Sequence, residues 1–118
     1  MPKPTNRKVF ISGKITGEEA SYKKKFEIAQ RKLEALGYLV MNPAVLPLGF
    51  EHQEYMEICY AMMDACHMIV LLPCCKDSKG SAMEQAYAKE LKMPIYQIED
   101  FQPAEREWTV EEIMAREG

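Results

Sequence analysis

Met68-Ile69-Val70-Leu71-Leu72 is an unbroken apolar run, and its reading decides the fold. A strand with one wet face alternates apolar and polar residues. Five apolar residues in a row mark a strand covered on both faces, as in a parallel sheet. Lys8-Val9-Phe10-Ile11-Ser12 is a second, shorter run, β-branched and aromatic at its centre, ending at Gly13, and also reads as a buried strand. Tyr38-Leu39-Val40-Met41 and Pro94-Ile95-Tyr96-Gln97-Ile98 read as two more strands. Pro94 stands at a strand start, where a missing N–H is tolerated.

Between the strands the period changes. From Glu18 onward, Tyr22, Phe26, Ala29, Leu33 and Leu36 recur on one helical face, and Lys23, Lys24, Lys25, Arg31 and Lys32 form a solvated face opposite. Gly37 then serves as a left-handed C-cap. Gln53 to Cys66 reads as a helix with Tyr55, Cys59, Met62 and Cys66 on one stripe and Met56 and Met63 beside it, a core stripe rather than a metal or haem box. Pro43 to Glu51 reads as a loop. Ser81 to Leu91 reads as a third helix with Met83, Ala86, Tyr87 and Leu91 inward. Thr109 and Glu112 have capping-box spacing, which opens a short acidic helix over Thr109–Glu117. Strands alternating with helices predict an α/β fold: three layers, a parallel sheet of four or five strands, and helices on both faces.

The chain of 118 residues reads as a single domain, 1–118, with 1–7 an N-terminal arm and 99–118 a C-terminal tail. Fifteen basic and eighteen acidic residues leave a charge of −3, so nothing favours a nucleic acid polymer as partner. No apolar run approaches the ~20 residues of a membrane span, and no signal peptide is legible, so no membrane and a cytoplasmic location are expected. Cys59, Cys66, Cys74 and Cys75 lack C-x-x-C spacing, and His52 and His67 are the only histidines. They read as free thiols, with no metal and no cofactor expected.

In a parallel sheet, ligands bind beyond the carboxyl ends of the strands, where the strand order reverses. That rule selects the loops Gly13–Gly17, Asn42–Glu51 and Pro73–Gly80. The first, Ser12-Gly13-Lys14-Ile15-Thr16-Gly17, lacks the spacing of an ATPase phosphate loop or a dinucleotide fingerprint. It is either a set of anion-holding amides or a tight turn needing positive φ. The third continues as Ser78-Lys79-Gly80-Ser81-Ala82-Met83-Glu84. Ser81-x-x-Glu84 has capping-box spacing, and spacing alone favours that reading. The other reading is a ligand site, with Gly80 for close approach, hydroxyls from Ser78 and Ser81, and Glu84 kept ionised by a helix dipole worth ~0.3–1 kcal/mol.

Val9-Phe10-Ile11-Ser12-Gly13 with Ile15-Thr16-Gly17, Gly37-Tyr38, Asn42-Pro43, Ile69 to Pro73, Ser78-x-Gly80-x-x-x-Glu84 and Ala86-x-Ala88 resemble the nucleoside 2-deoxyribosyltransferase-like superfamily, in its small bacterial and phage branch. The resemblance covers Lys8 to Ile98. It implies a flavodoxin-like sheet and a nucleoside or nucleoside 5′-monophosphate ligand attacked at C1′ by Glu84. It implies substrate contacts from Ser12, Gly13, Ile15, Asn42, Ser78, Gly80 and Ser81, and a pocket completed by a neighbouring subunit. A homodimer is therefore expected, with Tyr55, Met56 and Met63 offered as spare apolar surface. Three positions depart from the superfamily's pattern. Cys59 and His67 stand where acids are usual, and Pro73-Cys74-Cys75 replaces a glycine and aromatic pair. Asp64 is the acid of that helix's second half that could substitute, as a second catalytic residue. Two functions follow: an N-glycosidase or deoxyribosyltransferase, or a nucleotide-binding module that does not turn its ligand over. An oligomeric scaffold with a vestigial pocket is a third.

Overall fold

In a computed structural model of the chain, residues 8–15, 20–73 and 78–101 are described. The expectations for the arm 1–7, for Thr16 and Gly17, for Cys74 and Cys75, and for the acidic helix Thr109–Glu117 lie outside them.

Four strands, β1 (Lys8–Ser12), β2 (Leu39–Met41), β3 (Met68–Leu71) and β4 (Ile95–Gln97), form one parallel sheet in the order β2-β1-β3-β4. This is the flavodoxin-like order over its first four strands. The two apolar runs are the central pair. Every residue of β3 is buried, as are Val9 to Ser12 of β1. The pleat divides their side chains. Val9, Ile11, Met68 and Val70 join Phe26, Ala29 and Leu33 of α1 (Tyr22–Ala35) in one cluster. Phe10, Ile69 and Leu71 join Cys59 and Met63 of α2 (His52–Asp64) and Ala88 of α3 (Lys79–Glu90) in the other. One helix thus covers one face and two cover the other. Fully buried side chains such as Phe10, Phe26 and Leu33 each contribute roughly 1.5–3 kcal/mol. Among the described residues, no helix is long and apolar enough to cross a membrane.

The α1 face buries Tyr22, Phe26, Ala29 and Leu33 as the spacing predicts, and the helix runs from Tyr22. Gly37 follows the C-cap residue Leu36 at φ 96°, the left-handed conformation expected of it. The expected loop after β2 contains a short 3-10 turn, Pro43–Val45, which the Asn42 side chain caps by accepting from the Ala44 amide at 2.8 Å.

The inward faces of α2 and α3 differ from expectation. On α2 the buried residues are Met56, Cys59 and Met63, while Tyr55, Met62 and Cys66 are half-buried. The stripe is rotated by part of a turn, so Met56 and Met63 are core residues and not spare surface for a subunit contact. On α3 the buried residues are Ser81, Glu84 and Ala88. Met83, Ala86 and Leu91 are exposed, and Tyr87 is half-buried. An apolar periodicity cannot find a helix face whose inward positions are a serine and a glutamate.

Lys92, just past α3, is held at φ 58°, where a β-carbon crowds the backbone. Lys92→Gly is expected to raise stability by about 0.5–1 kcal/mol, read from urea unfolding.

Candidate active site

Ser12 ends β1, and α3 begins shortly after β3, so both lie at the crevice where the strand order reverses. Alternation places Ser12 on the same face as Phe10, the face covered by α2 and α3. The serine hydroxyl therefore meets α3. It donates to Glu84 Oε1 at 2.7 Å and lies 2.6 Å from Ser81 Oγ. Ser12 has one proton and gives it to the carboxylate, so Ser81 donates the second bond. Ser81 Oγ accepts in turn from Gln85 Nε2 at 3.4 Å. The result is a one-way relay from Gln85 through Ser81 and Ser12 to Glu84. Ser12, Ser81 and Glu84 are all buried.

The helix start explains this placement. Ser78 is the N-cap, its Oγ accepting from the Ser81 amide at 3.0 Å. The helix consequently begins two residues before Ser81, and Ser81 turns inward instead of capping. The Ser81–Glu84 capping box is overturned: Glu84 is the sixth residue of α3 and its carboxyl bonds to β1. The expectation that the dipole keeps it ionised falls as well, because that effect fades beyond the first turn. Burial instead pushes the Glu84 carboxyl up to about 7, against the opposing pull of hydrogen bonds from Ser12 and from the Cys59 thiol. Burial and the neighbouring Glu84 charge push the Cys59 thiol upward, so it stays protonated and donates. Tyr60 is raised by burial and then by Glu84.

Cys59 is the group here that sequence reading missed. It was visible only as a member of a core stripe and as a residue standing where an acid is usual. Its spacing from Met56 and Met63, i+3 and i−4, was the available signal. Asp64 is not brought to Glu84. It is exposed near the end of α2 and accepts from the Tyr87 hydroxyl at 2.7 Å. His67 lies on the far end of the sheet, where Nδ1 accepts from the Lys8 amide at 3.4 Å.

The remaining expected contacts divide between the two faces. Ile15 packs against the α1-side cluster, on the face opposite Glu84. Asn42 is buried and committed: besides capping the 3-10 turn, its Nδ2 donates to Gln30 Oε1 at 2.9 Å. Gly13 is not at positive φ. A β-carbon there would come within 3.0 Å of Leu72 Cδ1 and 3.1 Å of Phe26 Cζ, so glycine is needed for close packing of the strand end on α1. Gly80 is different. Among the described residues, the nearest atoms a β-carbon would meet belong to His52, Met56 and Ser78, at 3.8–3.9 Å, and the backbone needs no positive φ. Packing gives no reason for a glycine within a helix, where it costs about 1 kcal/mol against alanine. Gly80→Ala is expected to raise stability by roughly 0.5–1 kcal/mol, read from urea unfolding.

A groove of about 420 Å3 lies on the other face, between α1 and the ends of β3 and β4. It does not open on Glu84. Residues 16–19 and 74–77, which come after β1 and β3 in the sequence, lie outside the described residues. Among the described residues, no group of three histidines, cysteines or carboxylates could hold a metal ion. A buried, half-ionised carboxyl held by a hydroxyl relay can act as a nucleophile, as a base or as an acid near neutral pH. The family model DUF4406, described as a domain of unknown function, matches residues 7–97. No curated protein and no solved structure matches the chain.

Proposed function

Since the chain belongs to the DUF4406 family, a domain of unknown function, its chemistry has to be read from its own residues, and we propose that it cleaves the N-glycosidic bond of a nucleoside or nucleoside 5′-monophosphate with Glu84 as nucleophile. The observation that carries this reading is the Glu84 carboxyl, buried at the switch point and bonded to β1 instead of capping its own helix. Departure of the base breaks the C1′–N bond, its electron pair goes to the base nitrogen, and positive charge develops at C1′. The Glu84 oxygen closes on C1′ and forms a glycosyl ester. Water, or a second base, then attacks C1′ and releases the carboxylate. Burial raises the energy of ionised Glu84 in the free protein. The cationic transition state relieves that cost, so the interaction strengthens where catalysis needs it. Ser12 orients the reacting carboxyl, and Gly80 leaves room for the sugar.

A second reading, a nucleotide-binding module without turnover, draws on Cys59. The group facing Glu84 from α2 is a neutral thiol, which supplies no second acid for the leaving base. Incubation with a panel of nucleosides and 5′-monophosphates, with and without an acceptor base, separates the two. Base release or exchange supports the enzyme. A ligand-dependent rise in melting temperature without release supports the binding module. Neither result with any ligand overturns both. A homodimer remains part of the proposal, and its apolar surface is the Val45, Leu48 and Phe50 segment after β2 rather than α2. Light scattering that gives a 13.6 kDa particle would overturn that part.

A further inference from the structure

The groove on the α1 face is lined by Ile28, Ala29, Leu72, Pro73 and Ile98, with Lys25 and Lys32 along it. Ile28 is 57% exposed, a large apolar side chain on the helix face otherwise given to lysines. Within α1, five basic residues stand against two acidic ones. The groove is thus an apolar floor beside a positive rim, and it calls for an amphipathic, acidic segment.

The chain itself carries such a segment. The described residues end at Phe101, three positions after Ile98, which is a wall of the groove. Residues 102–118 follow, with five glutamates against two arginines and with Trp108, Val110, Ile113 and Met114 as apolar members. The balance of charge mirrors that of α1. Trp108 is seven residues beyond Phe101, within a reach of ~25 Å even without any turn. We propose that the segment 102–118 docks in this groove in cis, with its apolar residues against Ile28, Leu72 and Ile98 and its glutamates toward Lys32. Docking covers Ile28 and removes an exposed apolar patch next to the point where the chain arrives.

Trp108 is the single tryptophan of the protein, so its fluorescence reports the docking directly in the full chain. The expected emission lies to the blue of free N-acetyltryptophanamide and is protected from iodide and acrylamide. Ile28→Glu, at an exposed position, and separately Lys32→Glu, are expected to move the emission to that of the free compound without changing the far-UV circular dichroism. Lys24→Glu, which does not line the groove, is expected to leave it unchanged. At about 1 M salt, where the Debye length is ~3 Å, the charged part of the interaction weakens and the emission shifts partway. Emission equal to the free compound in the unmodified protein would overturn the proposal. So would a blue shift insensitive to both groove variants. A shift that disappears on dilution, together with a halved particle mass, would assign the groove to a second copy and overturn docking in cis.

Discussion

Glu84→Gln is expected to lower the rate of base release by on the order of a thousandfold or more, which is ~4 kcal/mol of transition-state stabilisation. The amide is isosteric and still accepts the Ser12 hydroxyl that reaches Oε1 at 2.7 Å. It does not form the bond to C1′, and it brings no charge to balance the oxocarbenium ion. The fold is preserved because Ser78, not Glu84, satisfies the amides at the start of α3. Ligand binding is retained, so turnover and binding separate in one variant. The measurement is base release by both proteins, paired with melts in the presence of nucleotide. In the unmodified protein, the rate with a neutral nucleoside should rise with pH, reach half its maximum near 7 and level off about one unit above, as the Glu84 carboxyl loses its proton. Equal rates in the two proteins would remove Glu84 from the chemistry.

The same substitution is expected to remove the pH dependence that Glu84 imposes on stability. The carboxyl moves from an ordinary 4.5 to about 7 on folding. Below 4.5 both states hold the proton and nothing is lost. Between 4.5 and 7 the unfolded chain releases its proton while the fold keeps it, so stability falls as pH rises. Above 7 the fold carries the full cost of a buried charge, about 3 kcal/mol. Glutamine is neutral throughout. The stability of Glu84→Gln relative to the unmodified protein should therefore climb by about 3 kcal/mol between pH 4 and pH 8, with the groups the two share cancelling in the difference. Urea unfolding at several pH values reads it. A difference that stays flat would show that Glu84 ionises as readily in the fold as in the open chain.

The sheet was legible because its central strands are apolar without interruption, and nothing else in a chain of this composition buries such runs. The α1 face was legible for the same reason: Tyr22, Phe26, Ala29 and Leu33 are apolar where the helix is buried. The face of α3 was not, because two of its three buried residues are a serine and a glutamate. Ser81 and Glu84 look like surface residues by composition, and their spacing imitates a capping box. Only the position of the true cap, Ser78, distinguishes the two arrangements, and a serine three residues earlier gives the same local pattern. The motif Ser78-x-Gly80-x-x-x-Glu84 was found as a resemblance, but the partners of its glutamate were not. Ser12 lies 72 residues away in the chain, and Cys59 sits in a helix whose stripe was read a part-turn off. Contacts of that separation leave no trace in local periodicity.

That separation has a consequence during synthesis. β1 is a central strand, yet the residues of β3 that flank it, and the glutamate that engages Ser12, are made much later. At 5–20 residues per second, Ser12 waits on the order of 4–14 s for Glu84 to leave the ribosome. Over that interval Val9, Phe10 and Ile11 form an apolar strand without its principal neighbour. Only β2 can pair with it early, and β2 is three residues long. The nascent chain therefore presents its stickiest segment first and covers it last, which makes β1 the place where chaperone capture, or mispairing between neighbouring nascent chains, begins.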